Sequence, residues 1–188
     1  MPAFVVLPYD TDVDETLPRL SDGDRARLDG LRDDAARRRF LAGRAALFAA
    51  AASVGELRIR IDARCPDCSL SHGRPNAQGA SRPIHLTLAH AGGRAFAAAS
   101  RHPVGIDAEP EDVTAERRAA IASLAPGRGD PLRRWTAIEA VLKADGRGLR
   151  VAPDAVRLRF RAAALDGMRY RLRFLREPGF LVTSAEQR

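Results

Sequence analysis

Residues Val104–Glu109 read VGIDAE, and this stretch limits the fold more than any other. Three apolar residues interleaved with two acids describe a buried strand that ends at a polar site. In extended chain, residues two apart share a face. Val104 and Ile106 therefore point one way, while Asp107 and Glu109 present two carboxylates side by side on the other. Two acids that close repel unless a cation or a proton sits between them. Downstream, Trp135–Leu149 reads WTAIEAVLKADGRGL and predicts a helix. Trp135, Ile138 and Leu142 form an apolar stripe, and Glu139 and Lys143 lie four apart on another face. Asp145, Gly146 and Gly148 supply the stop. On this reading Glu139 joins Asp107 and Glu109 around a hard divalent ion, with Lys143 beside it. Mg²⁺ favours such a site: few carboxylates, oxygen ligands only, and room for a substrate phosphate.

Taken together, VGIDAE and WTAIEAVLKADGRGL resemble the paired signature of 4′-phosphopantetheinyl transferases of the secondary-metabolism type. Gly105, Asp107, Glu109, Trp135, Glu139, Ala140, Lys143, Gly146, Gly148 and Leu149 fall on that pattern, whereas Ile138 stands where the family usually has lysine. The resemblance implies a pseudo-duplicated α+β fold of two similar halves, residues 1–103 and 104–188, with the site at their interface. It implies a monomeric, Mg²⁺-dependent (or Mn²⁺-dependent) enzyme. Such an enzyme moves the phosphopantetheine arm of coenzyme A to a serine of an acyl or peptidyl carrier protein and releases 3′,5′-ADP. Asp107, Glu109 and Glu139 take the metal. Glu139, directly or through a water, takes the serine proton, and Lys143 offsets charge on the leaving phosphate.

The family pattern reaches into the first half as well. RRRFLAGRAALF resembles its arginine-bearing helix and nominates Arg44 and Arg37 for a nucleotide phosphate. On the residues alone, Arg37 and Arg44, seven apart on one stripe, read equally as a solvated basic face. His72-Gly73-Arg74-Pro75 resembles the family's basic turn, which assigns Arg74 to a coenzyme A phosphate. IHLTLAHA, residues 84–91, resembles its nucleotide-contacting strand end and assigns His90, with Ala89 where serine is usual.

The rest of the chain bounds the answer. At 188 residues it makes one compact domain or two small halves, and 45% hydrophobic residues argue against disorder. No apolar run approaches the roughly 18 residues of a membrane span. The opening MPAFVVLPYD has no basic segment before its short apolar run, so no signal peptide and a cytoplasmic protein are expected. Two cysteines three apart then read as thiols rather than a disulfide framework. With His72 they also invite a zinc reading, although no second CxxC or HxxxH supplies further ligands. Net charge is +7, and Lys143 is the single lysine among 31 basic residues. In a chain that uses arginine everywhere else, position 143 demands the compact ammonium. The positive surface suits an acidic carrier protein.

In chain order, the pattern predicts a strand at Phe4–Leu7, a loop over 10–24 capped at Ser21 or Asp22, and a helix from Asp24 to Ser53. A strand at Leu57–Ile61 follows, then a loop through CPDCSLSHGRPNA and a hairpin of Ile84–Ala91 with Arg94–Ser100. A short helix at Glu116–Leu124 precedes an antiparallel sheet from Val156 to Thr183. Two other classes compete with the transferase. One is a catalytically weak relative that binds coenzyme A or a carrier; Ile138, Ala89 and the short 110–134 connection motivate it. The other is a nucleic-acid-binding protein, motivated by a pI near 10.7 but opposed by 5% aromatics and the lack of a known nucleic-acid motif.

Overall fold

The computed structural model describes residues 3–65 and 68–188, without the side chains of Ala3 and Leu149. Pro2, expected to bound the first strand, and Pro66 and Asp67 of the expected cysteine loop lie outside the described residues. The chain divides into two compact units, Met1–Arg101 and His102–Arg188, where the sequence reading set the boundary between 103 and 104. Both units are α+β, and each is built on a five-stranded antiparallel sheet.

The first unit comprises β1 (Ala3–Pro8), a 3₁₀ turn (Asp14–Arg19), α1 (Asp22–Asp29), α2 (Asp34–Ala52), β2 (Arg60–Arg64), β3 (Ser71–Gln78), β4 (His85–Ala91) and β5 (Arg94–Ser100). Its strand order is β1-β5-β4-β3-β2. α2 buries Ala42, Ala46 and Ala50, spaced by four, with Leu47 and Ala51 against Ala95, Ala97 and Ala99 of β5 and Leu86 of β4. Alanine on both surfaces lets helix and sheet approach closely. β4 and β5 join through Gly92-Gly93, whose φ values of 48° and 74° suit the two-residue turn that matches strand twist.

The second unit comprises β6 (Val104–Pro110), α3 (Ala115–Leu124), α4 (Pro131–Asp145), two short 3₁₀ turns, β7 (Arg157–Arg159), β8 (Ala162–Leu165), β9 (Met168–Glu177) and β10 (Phe180–Gln187). Its strand order is β6-β10-β9-β8-β7. Strand for strand this repeats the first unit: the opening strand pairs with the last, and the other four run as a meander. Asp130 caps α4 by accepting the Leu132 N–H at 3.2 Å. Pro131 occupies the first turn, and Gly146 ends the helix in the left-handed conformation at φ 91°. Ala137, Ala140, Val141 and Ala144 pack with Leu165, Tyr170, Leu172 and Ala185.

Three expectations need correction. The single helix over 24–53 is two helices, broken at Gly30. Ser21 and Asp33 each cap a start, and the Arg37 guanidinium holds the break by donating to the carbonyls of Leu28 (2.7 Å) and Leu31 (3.4 Å). The strand expected at Leu57–Ile61 starts at Arg60, and Leu57 is exposed. The GRP segment expected in a loop belongs to β3. A Cβ on Gly73 would meet the Arg64 carbonyl oxygen at 2.6 Å, so glycine is what lets this strand close on β2. Pro75 costs little there, because β3 meets β4 through one residue pair, Asn76 and His85.

Candidate functional site

In the second unit the acids of β6 face α4. Gly105 explains how. A Cβ at this position would collide with the carbonyl oxygen of Ala140 and lie 2.6 Å from the Ala144 nitrogen, so helix backbone rests directly on the strand. Asp107 and Glu109 share that face of β6. Glu139 and Lys143 sit one turn apart beside Ala140 and Ala144 on α4. Val104 and Ile106, on the opposite face, are fully buried.

The Lys143 ammonium donates to Asp107 Oδ1 at 2.7 Å. Asp107 is nearly enclosed, and burial pushes its carboxyl above the ordinary aspartate range. Lys143 opposes that rise and the Glu109 charge adds to it. Half-buried Glu139 is pushed up for the same reasons: burial first, then the Asp107 charge, with Lys143 opposing and Glu109 adding. The three acids and the lysine are thus one electrostatic unit. Glu109 has a partner that the sequence did not flag: Arg117 of α3 donates to both of its carboxylate oxygens at 2.9 Å. With 30 arginines in the chain, no sequence signal singles out this one. Thr136 and Thr183, buried and 2.8 Å apart, tie α4 to β10 beside this group. Ile138 lies in the core at 3% exposure.

Oxygen-only donors that repel one another suit a hard divalent ion. Two of the three already hold a side-chain cation, and their oxygens are not gathered to ligand spacing. Among the described residues, the group of three with ligand atoms all within 4.8 Å is Cys65, Cys68 and His72. Arg117 is 57% exposed at its side chain, so its hold on Glu109 is open to competition from water and ions. In donor chemistry alone, Asp107, Glu109 and Glu139 offer the oxygen atoms that a hard divalent ion takes, with Lys143 beside them.

The first unit places its nominated residues differently. Arg44 is buried, and its Nε and Nη2 donate to the two carboxylate oxygens of Asp24, both at 2.6 Å; Ser71 Oγ donates to the same carboxylate at 3.0 Å. Arg37 serves the α1–α2 break. Arg74 lies half-buried on β3. His90 is hydrogen-bonded through Nδ1 to the Tyr9 hydroxyl at 3.0 Å, and a Cβ on Gly43 would stand 3.2 Å from its Nε2. Glycine at 43 therefore leaves the imidazole its room beside α2. A hollow of about 710 Å³ is lined by Arg27, Arg60, Arg64, Ser71 and His72, of which the sequence reading had named His72 alone.

Set against protein-family models and against curated proteins, the chain matches none of them. Among the described residues no helix is long and apolar enough to cross a membrane.

Proposed function

We propose that the chain is a 4′-phosphopantetheinyl transferase, moving the phosphopantetheine arm of coenzyme A to a carrier-protein serine. The observation that carries this reading is the close seat of α4 on Gly105, with Lys143 on Asp107 and Glu139 within reach of the same charges. In the reaction the serine Oγ forms a bond to the phosphorus of the pantetheine phosphate. The anhydride P–O bond breaks, and 3′,5′-ADP leaves. Glu139, directly or through a water, accepts the serine proton. Lys143 balances charge on the leaving phosphate. A divalent ion bound by Asp107, Glu109 and Glu139 would supply charge neutralisation of the pyrophosphate. Arg74 and His90 remain nominated for the nucleotide, whereas Arg44 and Arg37 are committed to Asp24 and to helix carbonyls.

Purified protein incubated with an apo carrier, coenzyme A and Mg²⁺ should add the mass of one phosphopantetheine to the carrier. Glu139→Gln and Asp107→Asn should remove that gain while leaving the circular dichroism spectrum intact. The burial of Ile138 in the core favours the second reading, a relative that binds without transferring. Coenzyme A binding with no mass gain on the carrier would decide for it.

A further inference from the structure

We propose that Cys65, Cys68 and His72 form a binding site for a thiophilic divalent cation of the Zn²⁺ class, separate from the acids of the second unit and independent of the transferase reading. The Sγ atoms of both cysteines and a ring nitrogen of His72 all lie within 4.8 Å of one another, with Cys68 Sγ 2.9 Å from His72 Nε2. Neither cysteine is in a disulfide. Around a tetrahedral Zn²⁺ with bonds of about 2.3 Å to sulfur and 2.05 Å to nitrogen, ligand atoms stand roughly 3.6–3.8 Å apart. The three donors therefore lie within about 1 Å of the spacing of a filled site. Receiving the ion asks Cys68 and His72 to part by roughly 0.7 Å, a side-chain adjustment, since both are exposed.

Backbone hydrogen bonds tie the described residues around these donors together. Cys65 N–H donates to the Leu70 carbonyl at 2.8 Å, Ser69 N–H to the Cys65 carbonyl at 2.9 Å, and His72 N–H to the Leu70 carbonyl at 2.9 Å. Ser69, immediately after the second cysteine, takes φ 63°, a left-handed conformation uncommon for serine, and so turns the chain back over the pair. Beyond His72, a Cβ on Gly73 would stand only 3.0 Å from the Cys65 Cα, so glycine is what lets this strand lie so close to the cysteine. The turn, the left-handed residue and the glycine act together to bring the 65–68 pair and residue 72 to one point.

Thiolate and imidazole donors select zinc-like ions over Mg²⁺. With three protein ligands, the fourth position falls to water. An ion here pins the end of β2 to the start of β3. The neighbouring Ser71 carries the constraint onward, because its hydroxyl donates to Asp24 and its carbonyl accepts from Arg27 at 2.5 Å.

The test uses the untagged full chain, purified under reducing conditions without chelator. Elemental analysis should find about one zinc per chain even in excess Mg²⁺. Cobalt-substituted protein should show a near-ultraviolet thiolate-to-metal charge-transfer band. Cys65 is buried, so the variants that decide are Cys68→Ser and His72→Ala, at exposed positions. Each should bind zinc more than tenfold more weakly, since even second-shell partners of a metal ligand are worth about 10–100-fold. A folded wild-type chain that shows no thiolate band, or that holds zinc no tighter than Cys68→Ser, overturns the proposal.

Discussion

Gly105→Ala tests whether the α4 seat on β6 organises the second unit. The new methyl would sit 2.6 Å from the Ala144 nitrogen and 2.9 Å from the Ala140 carbonyl carbon, closer still to its oxygen. These are backbone atoms, so no side chain can swing away. Restoring ordinary contact of about 3.4 Å moves helix and strand apart by roughly 1–1.5 Å, and overpacking of this kind costs about 1–3 kcal/mol. In a chain of this length that lowers Tm by roughly 2–12 °C. The same displacement stretches the 2.7 Å contact between Lys143 and Asp107. At an effective dielectric near 20, lengthening it by about 1 Å gives up roughly 1.5–2 kcal/mol of attraction. Melting followed by circular dichroism reads the first effect, and the carrier mass assay reads the second as a loss of rate at temperatures where the variant is folded. A variant with wild-type Tm and unchanged Lys143–Asp107 geometry in a crystal structure would refute the reasoning outright.

Other substitutions probe separate links. Arg44→Met leaves the Asp24 carboxylate buried without its cation and should cost about 3–5 kcal/mol, whereas Arg44→Met with Asp24→Leu should recover much of that loss. Coenzyme A affinity falling with no loss in Tm would instead make Arg44 a ligand contact. Glu56 accepts from Ser81 N–H and Oγ, Arg82 N–H and Arg101, and the Arg101 guanidinium leads in holding its carboxyl down to about 2. A depressed carboxyl contributes stability above its unfolded value of about 4.5 that is lost as pH falls towards 2. Glu56→Gln should therefore flatten the acid limb of a Tm-versus-pH curve between about pH 4.5 and 2, and an unchanged limb counts against this network. Glu139 has the opposite sign: its raised carboxyl favours folding below about pH 4.5, and that contribution is lost as pH rises through its folded value. In chelator at neutral pH, Glu139→Gln should thus raise Tm while abolishing transfer; a lowered Tm would show that the charge is not repelled there.

The helix of the second unit was readable because its signals are local. Asp130-Pro131 at the start, Gly146 at the end and an apolar stripe between them need no distant partner to be recognised. β6 was readable for the same reason, since its alternation assigns faces without knowing its neighbours. β3 was not. Gly73 and Pro75 are loop residues by propensity, and only the approach of Arg64 and Cys65, unknown from spacing, turns the glycine into a strand requirement. The common strand order of the two units leaves no repeat in the residues either. Equivalent strands need matching faces rather than matching side chains.

Charge partners explain the rest of what the sequence withheld. Lys143 stood out because it is the single lysine, and it does reach Asp107. Arg44 and Arg117 come from a population of 30, so only the fold decides which carboxylate each one meets. Arg44 meets Asp24 from 20 residues away, and Arg117 meets Glu109 across a helix start capped by Thr114. The two pairs differ in what surrounds them. Asp24 is sealed from water, so breaking its pair leaves a stranded charge and the arginine is bound to its structural task. Glu109 faces an arginine with more than half of its side chain in solvent, so an incoming cation can replace that partner at little cost. Exposure of the partner, more than the distance between the atoms, separates an ion pair that holds the fold from one that can yield to a ligand.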